Sequence, residues 1–287
     1  MKLPFFLANR FVASESLDGA LPVVKELNAK GLHVTLDLLG EYVSDRSVAE
    51  ESRDLYIDLL RQLGKMRETE GVKSTISIKL SMMGQKIDYE YGLANLWKLM
   101  EVAKEQDIFV RLDMEGSDIT ESTISMFEAV YPSYRDHVGI VLQAYLHRTA
   151  EDVARMCELN ARVRICKGAY GEPEGIAWQK MPKIRERYID YMQQLITKAR
   201  YPGIATHDNK LIDATKQFTR ENNIGADRFE FQMLYGMRPE TQVELAKEGY
   251  NMRVYVPYGT EWLPYYSRRL RERKENVWFL LSNLVRK

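Results

Sequence analysis

The chain has 287 residues, enough for one large domain or two small ones. Its 41 basic and 41 acidic residues cancel, which removes the electrostatic case for nucleic acid. With 45% hydrophobic residues it can bury a core unaided, and its two cysteines, Cys157 and Cys166, form neither a CxxC nor a zinc-type cluster.

Two thiols cannot staple a chain of this length, so a reducing cytoplasm is the expected compartment. The apolar run near the start, Leu3-Pro4-Phe5-Phe6-Leu7-Ala8, is too short for a signal-peptide core or a membrane span. No Gly/Ser/Pro-rich linker interrupts the sequence, so a single domain over residues 1–287 is expected.

An amphipathic helix comes first, with Leu17, Ala20, Leu21, Val24 and Leu27 on one stripe. Short runs rich in Val, Ile and Leu then recur at His33–Leu39, Thr75–Leu80, Ile108–Met114 and Val138–Tyr145. They continue at Arg162–Cys166, Gly203–His207, Arg228–Met233 and Met252–Val256. Their length and composition fit buried parallel strands. Helical spacing follows each strand. Leu93, Leu96, Trp97 and Met100 share a face after the second, and Tyr188, Tyr191, Met192, Leu195 and Ala199 after the fifth. Thr149-Ala150-Glu151-Asp152 reads as a capping box that starts another helix. One helix followed by eight strand–helix units predicts an α/β fold, a single (β/α)8 barrel with a preceding N-terminal helix. An open doubly wound sheet is the alternative, but no GxGxxG or GxxxxGK[ST] turn is present.

In a barrel the chemistry sits where strands give way to βα loops. The predicted ends carry Asp37, Lys79, Asp113 with Met114, Gln143, Arg164 with Lys167, Thr206 with His207, Gln232 and Tyr255. Any one polar loop start has a bland explanation; eight ends converging on one rim form a site. The set is mostly cationic and suits an anionic ligand, since guanidinium forks bind carboxylate or phosphate bidentately. No HExxH and no carboxylate–histidine cluster occurs, so no catalytic metal is expected. Tyr265 lies three and four residues before Arg268 and Arg269, which puts all three on one face of the last helix. A phenol beside two guanidiniums fits a small ligand with a carboxylate and an apolar body, with Glu272 placed to orient Arg268. Two other readings stay open at this point. One is a cofactor-free lyase using Lys79 or Lys167 as a Schiff-base amine. The other is a non-catalytic module that binds an anionic metabolite through the Arg pair.

Several segments carry a resemblance: Ser77-Ile78-Lys79-Leu80-Ser81, Gln143-Ala144-Tyr145, and Val163-Arg164-Ile165-Cys166-Lys167-Gly168-Ala169-Tyr170. Ala205-Thr206-His207, Phe229-Glu230-Phe231-Gln232-Met233-Leu234 and Tyr265-x-x-Arg268-Arg269 add to it. In order and content they resemble the proline dehydrogenase family, from about Arg10 onward. The resemblance implies a barrel that binds FAD and oxidises L-proline to Δ1-pyrroline-5-carboxylate, the first step of proline catabolism. It also implies a membrane quinone as electron acceptor, without a transmembrane segment. The expected location is therefore cytoplasmic or peripheral at the inner face of the membrane. The length suits the monofunctional type.

The resemblance further assigns Lys79, Arg268 and Arg269 to the substrate carboxylate, and Tyr170, Leu234, Tyr255 and Tyr265 to the walls around its ring. It gives Arg164 the flavin N5 edge and Asp113 the cationic end of the substrate. Met114 (through its backbone), Gln143, Lys167, Gly168, Ala169, Thr206 and His207 are expected to hold the FAD. Gly171 after the KGAY element, Gly116 after Met114-Glu115, and a shorter stretch between Tyr255 and the Arg pair depart from the family pattern.

Overall fold

The structure is a computed structural model that describes residues 4–272, with side chains through Arg269. The side chain of Glu272 lies outside this set.

Eight parallel strands close into a barrel in sequence order. They are β1 (His33–Leu38), β2 (Ser74–Ile78), β3 (Val110–Leu112), β4 (Val138–Gln143), β5 (Val163–Cys166), β6 (Gly203–Ala205), β7 (Glu230–Leu234) and β8 (Asn251–Tyr258). Strand β8 returns to β1 in the register His33–Arg253 through Leu38–Tyr258, which removes both sheet edges. Helix α1 (Leu17–Ala29) precedes the barrel. The outer layer follows as α2 (Arg46–Glu70), α3 (Tyr89–Glu105), α4 (Thr120–Tyr134) and α5 (Thr149–Glu158), then α6 (Met181–Lys198), α7 (Asn209–Glu221), α8 (Pro239–Lys247) and α9 (Trp262–Glu272). All eight predicted strands and the leading helix are present.

Local chemistry starts and stops these helices. Asp45 caps α2 by accepting from the amides of Ser47 and Val48, and Gly71 ends it at φ 68°, a left-handed turn natural to glycine. The predicted capping box does not form. Thr149 is already helical, and its hydroxyl donates to the Gln143 carbonyl at 2.6 Å, tying α5 to the end of β4.

The strands are not uniformly apolar. Val34, Leu36, Ile76, Ile78, Val110, Leu112, Ile140, Leu142, Val163, Ile165, Phe231 and Met233 are buried in the main hydrophobic cluster. The alternate positions are polar or small: Thr35, Asp37, Ser77, Arg111, Gly139, Arg164, Gly203, Glu230, Gln232 and Arg253. Successive strand residues face opposite sides, so the apolar set meets the helices and the polar set fills the barrel. A hydrogen-bonded polar interior thus replaces the usual branched-aliphatic layers.

A second cluster supports the rim. Leu7, Ala8, Phe11 and Val12, ahead of α1, pack with Trp262, Tyr265 and Tyr266 of α9. Trp262 Nε1 donates to Glu15 at 3.2 Å. The early segment therefore seats the helix that carries the Arg pair.

Candidate active site

Several strands end sooner than the sequence suggests: β2 at Ile78, β3 at Leu112, β4 at Gln143 and β6 at Ala205, while β5 ends at Cys166 as expected. Lys79, Asp113, Lys167, Thr206 and His207 are consequently first or second residues of the loops. Each bonds to a residue of another strand or loop where the strand ladder stops.

At the centre of the rim, Arg164 is held from three sides. Its Nη1 donates to Asp113 at 2.8 Å, its Nε to Gln232 at 2.5 Å, and its Nη2 to Ser77 at 3.1 Å. The other Asp113 oxygen accepts from the Tyr255 hydroxyl at 2.7 Å. The Tyr255 ring lies 5.3 Å from the guanidinium carbon. Burial, and then the Asp113 carboxylate, push the Tyr255 phenol well above its ordinary value, so it stays a donor. These groups come from β2, the β3 loop, β5, β7 and β8, and fix Arg164 in one orientation.

Lys79 forms a buried pair with Asp37 at 2.7 and 2.9 Å. The two side chains are 7% and 0% exposed, so neither charge has water as an alternative partner. Burial lifts the Asp37 carboxyl to about 6 against the pull of Lys79. Burial also works against the ammonium, but Asp37 and Asp113 outweigh it and hold Lys79 above its usual range. A raised lysine stays protonated at neutral pH, which counts against the Schiff-base reading.

Arg268 pairs bidentately with Glu41 from the β1–α2 loop, one of its contacts at 3.1 Å. It also lies 5.7 Å from the Tyr170 ring centre. Arg269 packs over Tyr265 at 5.0 Å and is 6% exposed. Tyr265 is likewise buried, so α9 presents the Tyr–Arg–Arg group inward as its spacing predicts. Leu234 is half-buried, and its amide donates to His207 Nε2 at 3.0 Å. That contact makes Nδ1 the protonated nitrogen of His207.

The cofactor-side set is partly engaged with itself. Gln143 Nε2 donates to the Glu115 carbonyl at 2.9 Å, which leaves its amide oxygen as the group to offer a ligand. Met114 is 6% exposed beside it, and Thr206 Oγ1 accepts from the Asp208 amide at 3.1 Å. Lys167 and Arg185 both meet Asp208 Oδ2, at 3.3 and 2.7 Å. Two cations share one carboxylate there, a surplus suited to a phosphate group. Gly168 has φ 116°, and a Cβ on it would lie 2.2 Å from the Tyr145 ring, so only glycine lets the chain pass there. Ala169 is exposed and Tyr170 half-buried.

Sequence reasoning assigned no role to Glu41, Ser77, Glu115, Asp208 or Arg185, and none to Gln232 beyond its place near a strand end. Ser77 and Gln232 were findable from the period-two alternation of their strands. Glu41 and Arg185 carry no local signal, because they act through partners far away in sequence. Glu115 is 1% exposed and accepts from the amide and hydroxyl of Ser81 at 3.3 and 2.6 Å. Ser81 in turn accepts from the Tyr42 amide at 3.1 Å, so this carboxyl braces the loop that carries Glu41. A Cβ on Gly171 would meet nothing within 4 Å, so a bulkier residue would fit there without displacing a neighbour.

The family model described as proline dehydrogenase matches residues 20–281. The chain is 38% identical to proline dehydrogenase 2 of Bacillus subtilis over 280 residues, 98% of this chain and 91% of that protein. It is also 38% identical to the proline dehydrogenase of Deinococcus radiodurans over 284 residues, 98% of this chain and 90% of that one. Among solved structures, proline utilization A from Bdellovibrio bacteriovorus superposes with a TM-score of 0.86 at 27% identity. The match covers 93% of this chain and 32% of that one, so this chain spans about a third of the solved relative's length. The chain belongs to the proline dehydrogenase family.

Proposed function

We propose that the chain is one catalytic unit that oxidises L-proline to Δ1-pyrroline-5-carboxylate, with FAD as hydride acceptor and a quinone as electron acceptor. Oxidation of proline in proline catabolism follows from the family itself. The observation that carries the finer reading is the charge pairing on one rim. Lys79, Arg164 and Arg268 each hold a carboxylate there, so the site offers both cations and anions to a zwitterion.

In this reading Lys79, Arg268 and Arg269 take the substrate carboxylate, and Arg268 releases Glu41 to do so. Tyr170, Leu234, Tyr255 and Tyr265 enclose the ring and exclude water. Asp113, fixed by Tyr255, faces the nitrogen end. The ring nitrogen must be neutral when hydride leaves C5, because its lone pair becomes the new C=N bond. Holding the ring at both ends converts a bimolecular encounter into an oriented one, which can remove several kcal/mol of barrier.

Bound FAD supplies the two-electron acceptor. The residues fit it: the Lys167–Arg185–Asp208 surplus suits its diphosphate, and the glycine passage at Gly168 leaves room beside Tyr145. Met114, Gln143, Ala169, Thr206 and His207 would hold it on the same side, and Arg164 would meet the flavin edge. Because its three partners leave it no freedom to turn, Arg164 is pre-organised to meet negative charge.

In this reading the protein works in the cytoplasm or at the inner face of the membrane, where a quinone acceptor would lie. No described helix is long and apolar enough to cross one. The test is steady-state oxidation of L-proline by the purified protein with a soluble quinone analogue, trapping the pyrroline product. Product formation with both reactants present and none without the quinone supports the reading. Absence of pyrroline under these conditions refutes it.

A further inference from the structure

Beneath the rim, toward the strand starts, the charges inside the barrel do not balance. Three guanidiniums meet one carboxylate among the strand starts. Arg253 of β8 holds Glu230 of β7 through Nε at 2.7 Å and Nη2 at 3.0 Å. Burial works against the Glu230 charge, but Arg253 and Arg111 overcome it and hold the carboxyl down at about 2. Gln232 Nε2 also donates to Glu230 at 2.5 Å. That carboxylate is therefore ionised and fully occupied.

Arg111 of β3 is 2% exposed and donates through Nη1 to the carbonyls of Ile140 and Arg162, not to a carboxylate. Arg162, half-buried just before β5, forms no ion pair among the described residues, and its Nε is enclosed without a hydrogen-bond partner. Three positive charges less one negative leave the cluster at +2. A buried guanidinium without a counter-charge is costly. Phe109 offers partial relief, since its ring centre lies 4.8 Å from Arg111 and 4.1 Å from Arg162. A ring quadrupole still leaves the net charge in place.

The same residues enclose a cavity of about 10 Å³. Gly139 makes room for the packing of these side chains: a Cβ on it would lie 2.6 Å from both Arg111 Nη1 and the Phe109 ring. The space is that of a single small particle, a water or a monatomic ion. Water would satisfy the Arg162 donor but would leave the charge uncompensated.

We propose that the amino-terminal end of the barrel is a binding site for a single halide ion, held by the guanidiniums of Arg111 and Arg162. The halide joins the folded state and not the unfolded chain, so it stabilises by mass action. It lies beneath the rim, with Arg164 and Gln232 on its upper wall, and its readouts, anomalous density and melting, do not depend on the catalytic reading.

The probe is sodium bromide on the unmodified holoprotein. Crystals soaked in bromide should show an anomalous peak in the Arg111–Arg162 cavity. Thermal unfolding in sodium chloride should exceed that in sodium gluconate at equal ionic strength, with a saturable increment. Arg162→Met, at the edge of the cluster, should lose the chloride-specific increment while still folding. Arg111→Met is the second variant, for the case in which the edge substitution alone destabilises the fold. A cavity without a bromide peak, with equal melting in the two salts, would mean water only and would overturn the proposal. A chloride increment that persists undiminished in the variants would also overturn it, by placing the halide elsewhere.

Discussion

Substituting Arg268 by Met removes more than one contact, because the structure shows where its charge now goes. Arg268 is bound bidentately by Glu41, and the two side chains are only 22% and 15% exposed. A proline carboxylate must take over those donors. Losing one charge-assisted partner costs about 1.5–3 kcal/mol, which is about 10- to 150-fold in kcat/KM. The substitution also strands Glu41 beside the incoming carboxylate, and two like charges there add to the loss. Arg268→Met should therefore raise KM for L-proline more than Arg269→Met, because Arg268 is the one locked in a bidentate pair with Glu41. Adding Glu41→Gln to Arg268→Met should recover part of the loss by removing the repulsion. The assay is steady-state oxidation of L-proline with an artificial acceptor, with flavin content measured on each variant. An unchanged KM in Arg268→Met, or a double variant no better than the single one, would refute the competition between Glu41 and substrate.

His207→Ala should lower flavin content and melting temperature. His207→Gln, which can still accept from the Leu234 amide, should melt closer to wild type; equal flavin content in all three proteins would remove His207 from the cofactor side. Tyr265→Ser should narrow the preference for L-proline over trans-4-hydroxy-L-proline, by opening space and offering a hydroxyl partner; an unchanged kcat/KM ratio would place Tyr265 outside the pocket. Glu115 predicts a pH effect. Burial lifts its carboxyl from 4.5 to about 7, against the hydrogen bonds from Ser81. A raised acid stabilises fully below its unfolded value, and that contribution is lost as pH climbs through about 7. Glu115→Gln should therefore gain on wild type by on the order of 3 kcal/mol between about pH 5 and about pH 8. A stability difference that stays constant across that window contradicts the assignment.

The barrel was legible because it rests on local signals: eight short apolar runs, each followed by helical spacing, in an order that only one closed topology accommodates without a nucleotide-binding turn. The rim was legible for a related reason, since barrel geometry converts a position near a strand end into a position in space. Lys79, Asp113, Arg164 and Tyr255 meet on that rule alone. Reading the strands as uniformly apolar hid the polar interior. The alternation Thr35, Asp37 and Ser77, Lys79 on adjacent strands was present, and it points to the ladder of side chains beneath the site. The capping box at Thr149 failed because the helix begins one residue early, with Arg148 in the cap position, and the Thr149 hydroxyl instead ties the helix to the Gln143 carbonyl. Glu41 and Arg185 were not legible at all. Their importance lies in partners 227 and 23 residues away, which only the closed fold brings together.

The central claim is that this rim transfers a hydride from proline to a bound flavin. Anaerobic addition of L-proline to the purified holoprotein, followed by visible absorption, tests it most directly. The flavin band near ~450 nm should bleach on mixing and return when a quinone analogue is admitted. A spectrum that stays unchanged in excess L-proline, or a purified protein with no flavin band at all, would contradict the account.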